Sequence, residues 1–368
     1  MAQKTDSGVP DRNRNYGTVL AARFSALGDV AMTVPVLYSA CRCYPGLRFV
    51  MVTRPAFTGI FLNPPANLTV VGADVKGQYA GIGGLRRLVD RLVADYGPFR
   101  FVDLHNVLRT KVMTAFMRLR GVPCSTLEKP RSERKALTRR SRKVFAPLKN
   151  QRDYYREVFV RADLPVAERF SGLFDGPAKA PAELFAAVTG PKAAGECWIG
   201  IAPFAAHAGK VYPTDLMERV IAMLQARADA GLPLRVFLFG GGGAEADWLS
   251  GIAAKYPACT SLAGKRYGFP AELALINHLD AMLTMDSGNM HLAAIAGAPV
   301  LSIWGATHPY CGFRAWGQTD ANTIQASLPC RPCSVYGSEP CRRADMQCMR
   351  SILPEDVFER LAQMAHIN

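Results

Sequence analysis

The stretch from Leu279 to Pro309 restricts the fold more than any other part of the chain. Ala281 to Met285 is a short apolar run, the pattern of a strand buried on both faces. Asp286-Ser287-Gly288 breaks that run with turn residues, and Met290 to Ala296 follows as a helix of small apolar side chains. Gly297-Ala298-Pro299 stops the helix, and Val300 to Trp304 is the next buried strand. Strand, polar turn, helix and strand make a βαβ unit, with Ser287, Gly288 and His291 at the mouth of the crossover. The first turn of a helix has unpaired N–H groups and a partial positive charge, so this mouth suits phosphate. Gly288 lets a ligand approach the backbone, and Ser287 offers a hydroxyl. Two readings are open here, because Asp286 or Ser287 can also serve only as a helix cap. His291 can likewise be a packed histidine or a ligand contact.

The same alternation recurs towards the N-terminus. Thr18 to Ala22 reads as a buried strand, Val30 to Cys43 as a helix with Pro35 near its start, and Arg48 to Thr53 as the next strand. Val70-Val71 and Arg100 to Leu104 are further strands, and Leu85 to Tyr96 is an amphipathic helix. A Pro- and Gly-bearing stretch, Asp175 to Glu196, marks a linker. Beyond it come a strand at Cys197 to Ala202, a helix at Thr214 to Ala228 and a strand at Leu234 to Phe239. Gly240 to Gly243 then precedes a helix that starts near Glu245. The first unit carries no Gly-x-Gly-x-x-Gly, which counts against a dinucleotide dehydrogenase. The glycine run lacks the Lys-Ser/Thr of a Walker motif, which counts against ATP hydrolysis.

Length and composition agree with two α/β domains. A chain of 368 residues that is 49% hydrophobic buries two cores more naturally than one. The expected divisions are an N-terminal extension at 1–17, a first domain at 18–180, a linker at 181–194, a second domain at 195–353 and a closing helix at 354–368. The extension is expected to be disordered, and the closing helix to pack back across the junction. No apolar run approaches the roughly twenty residues that span a bilayer. The first fifteen residues lack the apolar core of a signal peptide, so a cytoplasmic protein with reduced cysteines is expected.

The formal net charge of +14 favours anionic partners. Lys129 to Lys149 concentrates nine basic residues and one acid, Glu133, and reads as a mobile loop or frayed helix. Phe145 is its single aromatic, and no helix-turn-helix, zinc finger or RNA-binding motif is present, so nucleic acid is not an expected partner. Cys330, Cys333, Cys341 and Cys348 form a C-x2-C-x7-C-x6-C array, compatible with structural zinc or with no metal at all.

Asp286-Ser-Gly-Asn-Met-His-Leu-Ala-Ala, then Gly297-Ala-Pro-Val and Trp304-Gly-Ala-Thr-His-Pro, resemble the donor-site signature of the lipopolysaccharide heptosyltransferases. These are family 9 glycosyltransferases, which have the GT-B fold of two Rossmann-like parallel-sheet domains facing a cleft and use ADP-heptose. Their wording is Asp-Thr-Gly-Pro-Met-His, so Ser287 keeps the hydroxyl while Asn289, Trp304 and Ala306 are departures. Arg23-Phe-Ser-Ala-Leu-Gly-Asp-Val, with Pro35, resembles the same family's N-terminal motif.

The resemblance implies an N-terminal acceptor domain and a C-terminal nucleotide-sugar domain. The reaction it implies is inverting transfer of heptose from ADP-heptose to a hydroxyl of the lipopolysaccharide inner core, with no metal or cofactor. Asp29 falls on the proposed catalytic aspartate; its rival role is a helix cap. Lys210, ahead of Tyr212-Pro213, falls on a lysine suited to a departing diphosphate; the alternative is an exposed loop lysine. Asp286, Ser287, Gly288, Asn289, Met290, His291 and Thr307 fall on the donor side, with Glu245, or else Asp247, on the nucleoside. Arg23, Ser25, Asn106 and Arg109 fall on the acceptor side, the last two being alternatively a cap and a solvated helix face. The basic run would meet an acidic glycolipid at the inner face of the inner membrane. Two alternatives stay open: a GT-B transferase with another nucleotide-sugar donor, and a non-catalytic binder of a nucleotide or an acidic glycan.

Overall fold

The computed structural model describes residues 16–367, in two compact units. The first comprises the described residues up to Lys129 together with Arg152–Phe170. The second comprises Pro130–Gln151 and the described residues from Ser171 onward.

The first unit is a five-stranded parallel sheet with the strands β1 (Thr18–Ala22), β2 (Arg48–Thr53), β3 (Leu68–Gly72), β4 (Phe99–Asp103) and β5 (Cys124–Thr126). Their order is β3-β2-β1-β4-β5, the arrangement of a nucleotide-binding half fold. Its helices are α1 (Leu27–Ala31), α2 (Thr33–Cys43), α3 (Gly81–Tyr96) and α4 (Leu108–Arg118). Leu85, Leu88, Val89 and Leu92 of α3 recur at helical spacing and bury one stripe against Leu20, Val50, Val52 and Phe101 of the sheet. Each such side chain contributes roughly 1.5–3 kcal/mol when fully buried. The single helix expected from Val30 to Cys43 is two, because the chain breaks at Met32. Of the expected N-terminal extension, 1–15 lie outside the described residues, whereas Tyr16 is buried under the Arg100 guanidinium at 5.7 Å.

The charge run expected to be mobile is ordered within the second unit. It holds α5 (Arg131–Thr138), and Lys143 donates to the carbonyls of Pro329, Cys330, Arg331 and Pro332 at 2.9–3.2 Å. Four convergent carbonyl dipoles hold one ammonium more tightly than solvent exposure would suggest. Arg134, also in the run, is buried against Gln151 and Tyr336. The chain then passes into α6 (Gln151–Val160), whose Tyr155, Val158 and Phe159 are buried.

The second sheet has six parallel strands: β6 (Cys197–Ala202), β7 (Leu234–Leu238), β8 (Cys259–Ser261), β9 (Ala281–Met285), β10 (Val300–Trp304) and β11 (Thr323–Gln325). Their order, β11-β10-β9-β6-β7-β8, repeats the doubly wound plan. Helices α7 (Thr214–Asp229), α8 (Ala244–Lys255), α9 (Phe269–Asn277), α10 (Gly288–Ala296), α11 (Gln347–Arg350) and α12 (Pro354–Met364) cover it. The last helix, expected to pack back across the junction, belongs to the second unit, where Val357 and Leu361 join Val220, Ile221, Leu283 and Ile303 in one core. The stretch expected as a linker is also packed there: Phe185 is fully buried against Trp198 and His278.

Candidate functional site

In doubly wound sheets ligands bind beyond the carboxyl ends of the strands, where the strand order reverses. That point lies between β1 and β4 in the first unit and between β6 and β9 in the second. The polar residues singled out in the sequence cluster at these two places.

In the first unit, register sets the geometry. Ala22 of β1 stands opposite Asp103 of β4, so Arg23 emerges beside Leu104 and donates to its carbonyl at 2.6 Å. The buried Arg23 also donates to the Ser25 carbonyl at 2.9 Å and pairs with Asp29 at 2.6 Å. Burial works against the guanidinium charge, and Asp29, Tyr155 and Asp103 together outweigh it, so the Arg23 pKa is raised. Asp29 remains about one-quarter exposed while its carboxylate accepts from the Ala26 amide at 3.3 Å. It therefore closes the first turn of α1 and still reaches solvent. Arg23, expected to touch the acceptor, is instead the buried residue that orients Asp29.

The turn after β4 supplies the other wall. Asp103 accepts from the His105 and Asn106 amides at 2.9 and 3.0 Å, which bends the chain sharply. Asn106 has φ 47°, a left-handed conformation that asparagine tolerates. Its side-chain amide donates to Leu127 at 2.6 Å, so it serves the turn. The sequence reading passed over His105, which lies 3.3 Å from the Ser25 hydroxyl. Burial, then the charges of Arg23 and Lys129, push its pKa down to about 3, so the ring is neutral. Its Nδ1 and the Asn106 side-chain oxygen, Oδ1, are buried without a hydrogen-bond partner among the described residues. Arg109, in the first turn of α4, is close enough to add to the field that keeps His105 neutral. A histidine next to a polar strand-end turn was the available signal.

In the second unit, Ser287 is the residue before α10 and makes no side-chain cap bond. Its hydroxyl lies 3.3 Å from that of Thr284. Asp286 does not cap the helix either. It is buried, pairs with Lys210 at 2.9 Å and accepts from the Thr307 hydroxyl at 2.8 Å. The bland reading of this turn as an ordinary cap is thereby replaced. The Gly288, Asn289 and Met290 amides of the first turn have no intrahelical acceptor, so the turn keeps its anion-binding character. The Met290 side chain, expected on the donor side, is fully buried in the core, which leaves only its backbone amide for a ligand. His291 is also buried. Lys210 is a paired lysine and not an exposed one, but an ammonium has three donors, and one ion pair does not exhaust them.

A second unexpected residue is Arg331. It is buried and donates to the carbonyls of Gly305 at 2.5 Å, Trp304 at 3.0 Å and Thr307 at 2.9 Å, with Gln325 at 3.1 Å and Ala326 as further partners. One guanidinium thus fixes the backbone of the loop whose Thr307 holds Asp286. Gly337, at φ 77°, brings the cysteine-rich segment against Lys210; a Cβ there would lie 2.6 Å from the lysine Cγ. Cys330, Cys333, Cys341 and Cys348 line one cavity of about 220 Å³, and all four are unpaired. Among the described residues no group of three or more His, Cys, Asp or Glu is arranged to hold a metal ion. Glu245 accepts from the Gly241 amide at 2.7 Å and ties the glycine turn to α8.

A family model described as glycosyltransferase family 9 (heptosyltransferase) matches residues 110–341. The chain is 26% identical over 333 residues to lipopolysaccharide heptosyltransferase 1 of Pseudomonas aeruginosa, covering 86% of this chain and 85% of that one. Among solved structures, the glycosyl transferase family 9 protein of Veillonella parvula superposes with a TM-score of 0.68 at 16% identity, over 95% of this chain and 98% of that one. The E. coli heptosyltransferase WaaC with ADP gives 0.62 at 18% identity, over 95% and 100% of the two chains. At these identities the structures establish the shared GT-B class, and the family match reaches from α4 into the cysteine-rich segment. The chain belongs to glycosyltransferase family 9, and it is a glycosyltransferase.

Proposed function

We propose that the protein transfers heptose from ADP-heptose to a hydroxyl of the lipopolysaccharide inner core, with inversion at the anomeric carbon. The observation that carries the reading is the Lys210–Asp286–Thr307 network beside the uncapped first turn of α10. A cation beside free backbone amides is a combination suited to a diphosphate, which supports the reading. Lys210 and the turn amides bind the diphosphate and offset the charge that grows as the glycosidic bond to it breaks. Ser287 adds a hydroxyl donor. In the first unit Asp29 takes the proton of the attacking hydroxyl, because a carboxylate held by Arg23 and open to solvent has the geometry of a general base.

The relative at 26% identity supports the heptose and lipopolysaccharide assignments. Among the described residues no helix is long and apolar enough to cross a membrane. Arg139, Arg140 and Arg142 are exposed, which suits peripheral contact with an acidic glycolipid surface at the cytoplasmic side. The test is a matrix of ADP-heptose, UDP-glucose and GDP-mannose against inner-core acceptors truncated at successive sugars. Transfer from ADP-heptose to one truncation supports the reading. Transfer only from another donor, or nucleotide binding without any transfer, overturns it in favour of the corresponding alternative.

A further inference from the structure

The second unit has a cavity of about 520 Å³ whose lining does not include Lys210, Asp286 or Ser287. It opens beyond the carboxyl ends of β10 and β11 and is lined by Phe145, His308, Gln325, Ser327, Lys143 and Arg331, among others. Phe145 comes from the charge run, yet it is held in place. The Lys143 ammonium is fixed on four carbonyls two residues earlier, and the Leu148 amide donates to Tyr310 at 2.9 Å three residues later. The Phe145 ring stands edge-on to His308 at 5.0 Å and lies 4.9 Å from Tyr310, whose ring is 4.4 Å from that of His308. Packed on one side, the ring is still 54% exposed. A large aromatic surface held open at a cavity mouth marks a place where something apolar docks.

The rest of the lining is polar. Gln325 offers its amide N–H donors while its carbonyl accepts from Arg331, and Ser327 offers an exposed hydroxyl. Lys143 and Arg331 are satisfied by neutral carbonyls, so their positive charges persist, and the lining holds no carboxylate among the described residues. A flat apolar face, an amide, a hydroxyl and uncompensated positive charge match a sugar ring that carries a carboxylate or phosphate. A lipid tail would find the polar rim costly, and the diphosphate already has its place at α10. We infer that this cavity is a subsite for an anionic sugar of the acceptor glycan, stacked on Phe145. The inference rests on the acceptor assignment above.

The probe is a deacylated lipopolysaccharide inner-core oligosaccharide, titrated by calorimetry without donor and also used as acceptor in steady-state assays. Phe145→Ala should raise both its Kd and its KM about three- to tenfold, the scale of one lost aromatic contact. ADP affinity and kcat should stay at wild-type values, and Phe145→Tyr should restore the KM. Should Phe145→Ala not fold, Phe145→Leu and Ser327→Ala carry the same comparison. An unchanged KM and Kd in folded Phe145→Ala overturns the subsite. An effect confined to acylated acceptor on vesicles also overturns it and assigns the ring to the bilayer. Because calorimetry does not need turnover, glycan binding that weakens in Phe145→Ala without transfer in any variant supports the subsite while removing the transferase reading. Transfer with an unaltered KM does the reverse.

Discussion

The two strand-end sites differ in how their carboxylates are held. In the second unit Asp286 is buried and doubly bonded, Lys210 is paired, and Arg331 spends its donors on the loop that carries Thr307. In the first unit Asp29 is partly open to solvent, and His105 and Asn106 each bury a polar atom that nothing described here satisfies. The Asp286 carboxylate is rigid because it is held from two sides, while Lys210 and the first-turn amides of α10 keep donors for a ligand. That suits a diphosphate, whose charge must be met at fixed positions. An unsaturated site leaves hydrogen-bonding capacity for hydroxyls that arrive with the acceptor, at a cost in stability while they are absent.

The sharpest way to break this comparison is Asp29→Asn. The amide keeps the shape and much of the capping but cannot take a proton, so kcat should fall about 10²–10⁴-fold. ADP affinity, which the proposed function assigns to the second unit, should hold. Near wild-type turnover with chemistry shown to be rate-limiting would move the base elsewhere.

Next in size is Asp286→Asn, which leaves Lys210 without its buried partner. Removing one member of such a pair should cost about 3 kcal/mol in urea denaturation, and ADP binding should weaken with it. If stability and ADP affinity were both untouched, the second site would not be the preorganised one.

Acid should act on both units, on the second through His308, which burial pushes down to about 4, and on the first through His105. The His105 pKa of about 3 in the fold lies below its unfolded value of about 6.5, so the unfolded chain takes up the proton first as pH falls. The stability this neutral ring contributes is complete at neutral pH, declines below about 6.5 and is down by about 2 kcal/mol at pH 5. His105→Gln should flatten that part of the slope between pH 7 and pH 5. Equal slopes in variant and wild type would contradict the assignment.

The smallest effect concerns surface charge. Replacing Arg139, Arg140 and Arg142 with glutamine should weaken association with anionic vesicles at low salt and make no difference at high salt. Lys143 is left out of this set because it holds four carbonyls of the second unit. Salt-insensitive binding by both proteins would remove the electrostatic contact.

Local pattern was enough for the central strands. β1, β2, β6, β9 and β10 are continuous apolar runs between turn residues, and they fold over the spans that those runs mark. The three-residue edge strands β5, β8 and β11 were not legible, because an edge position is half open and needs no apolar run. The break at Met32 was equally invisible, since both flanking segments share a helical pattern. The motifs at 286–291 and 23–30 point to the two candidate sites, but the contacts of their members are set elsewhere. Met290 looked like a donor contact and is core; Arg23 looked like an acceptor contact and orients Asp29. Lys143 and Arg134 sit in a run whose pattern suggests a mobile loop or frayed helix, and nothing in the sequence marks Arg331, yet each is held by groups distant along the chain. Sequence by itself therefore determined the two parallel α/β sheets, the family and the polar turns at the strand ends, because apolar periodicity and turn residues act over a few neighbours. Which charge meets which was decided only by tertiary structure. A buried ion is stable only beside partners that strand register and loop packing bring to it, and no local pattern specifies that meeting.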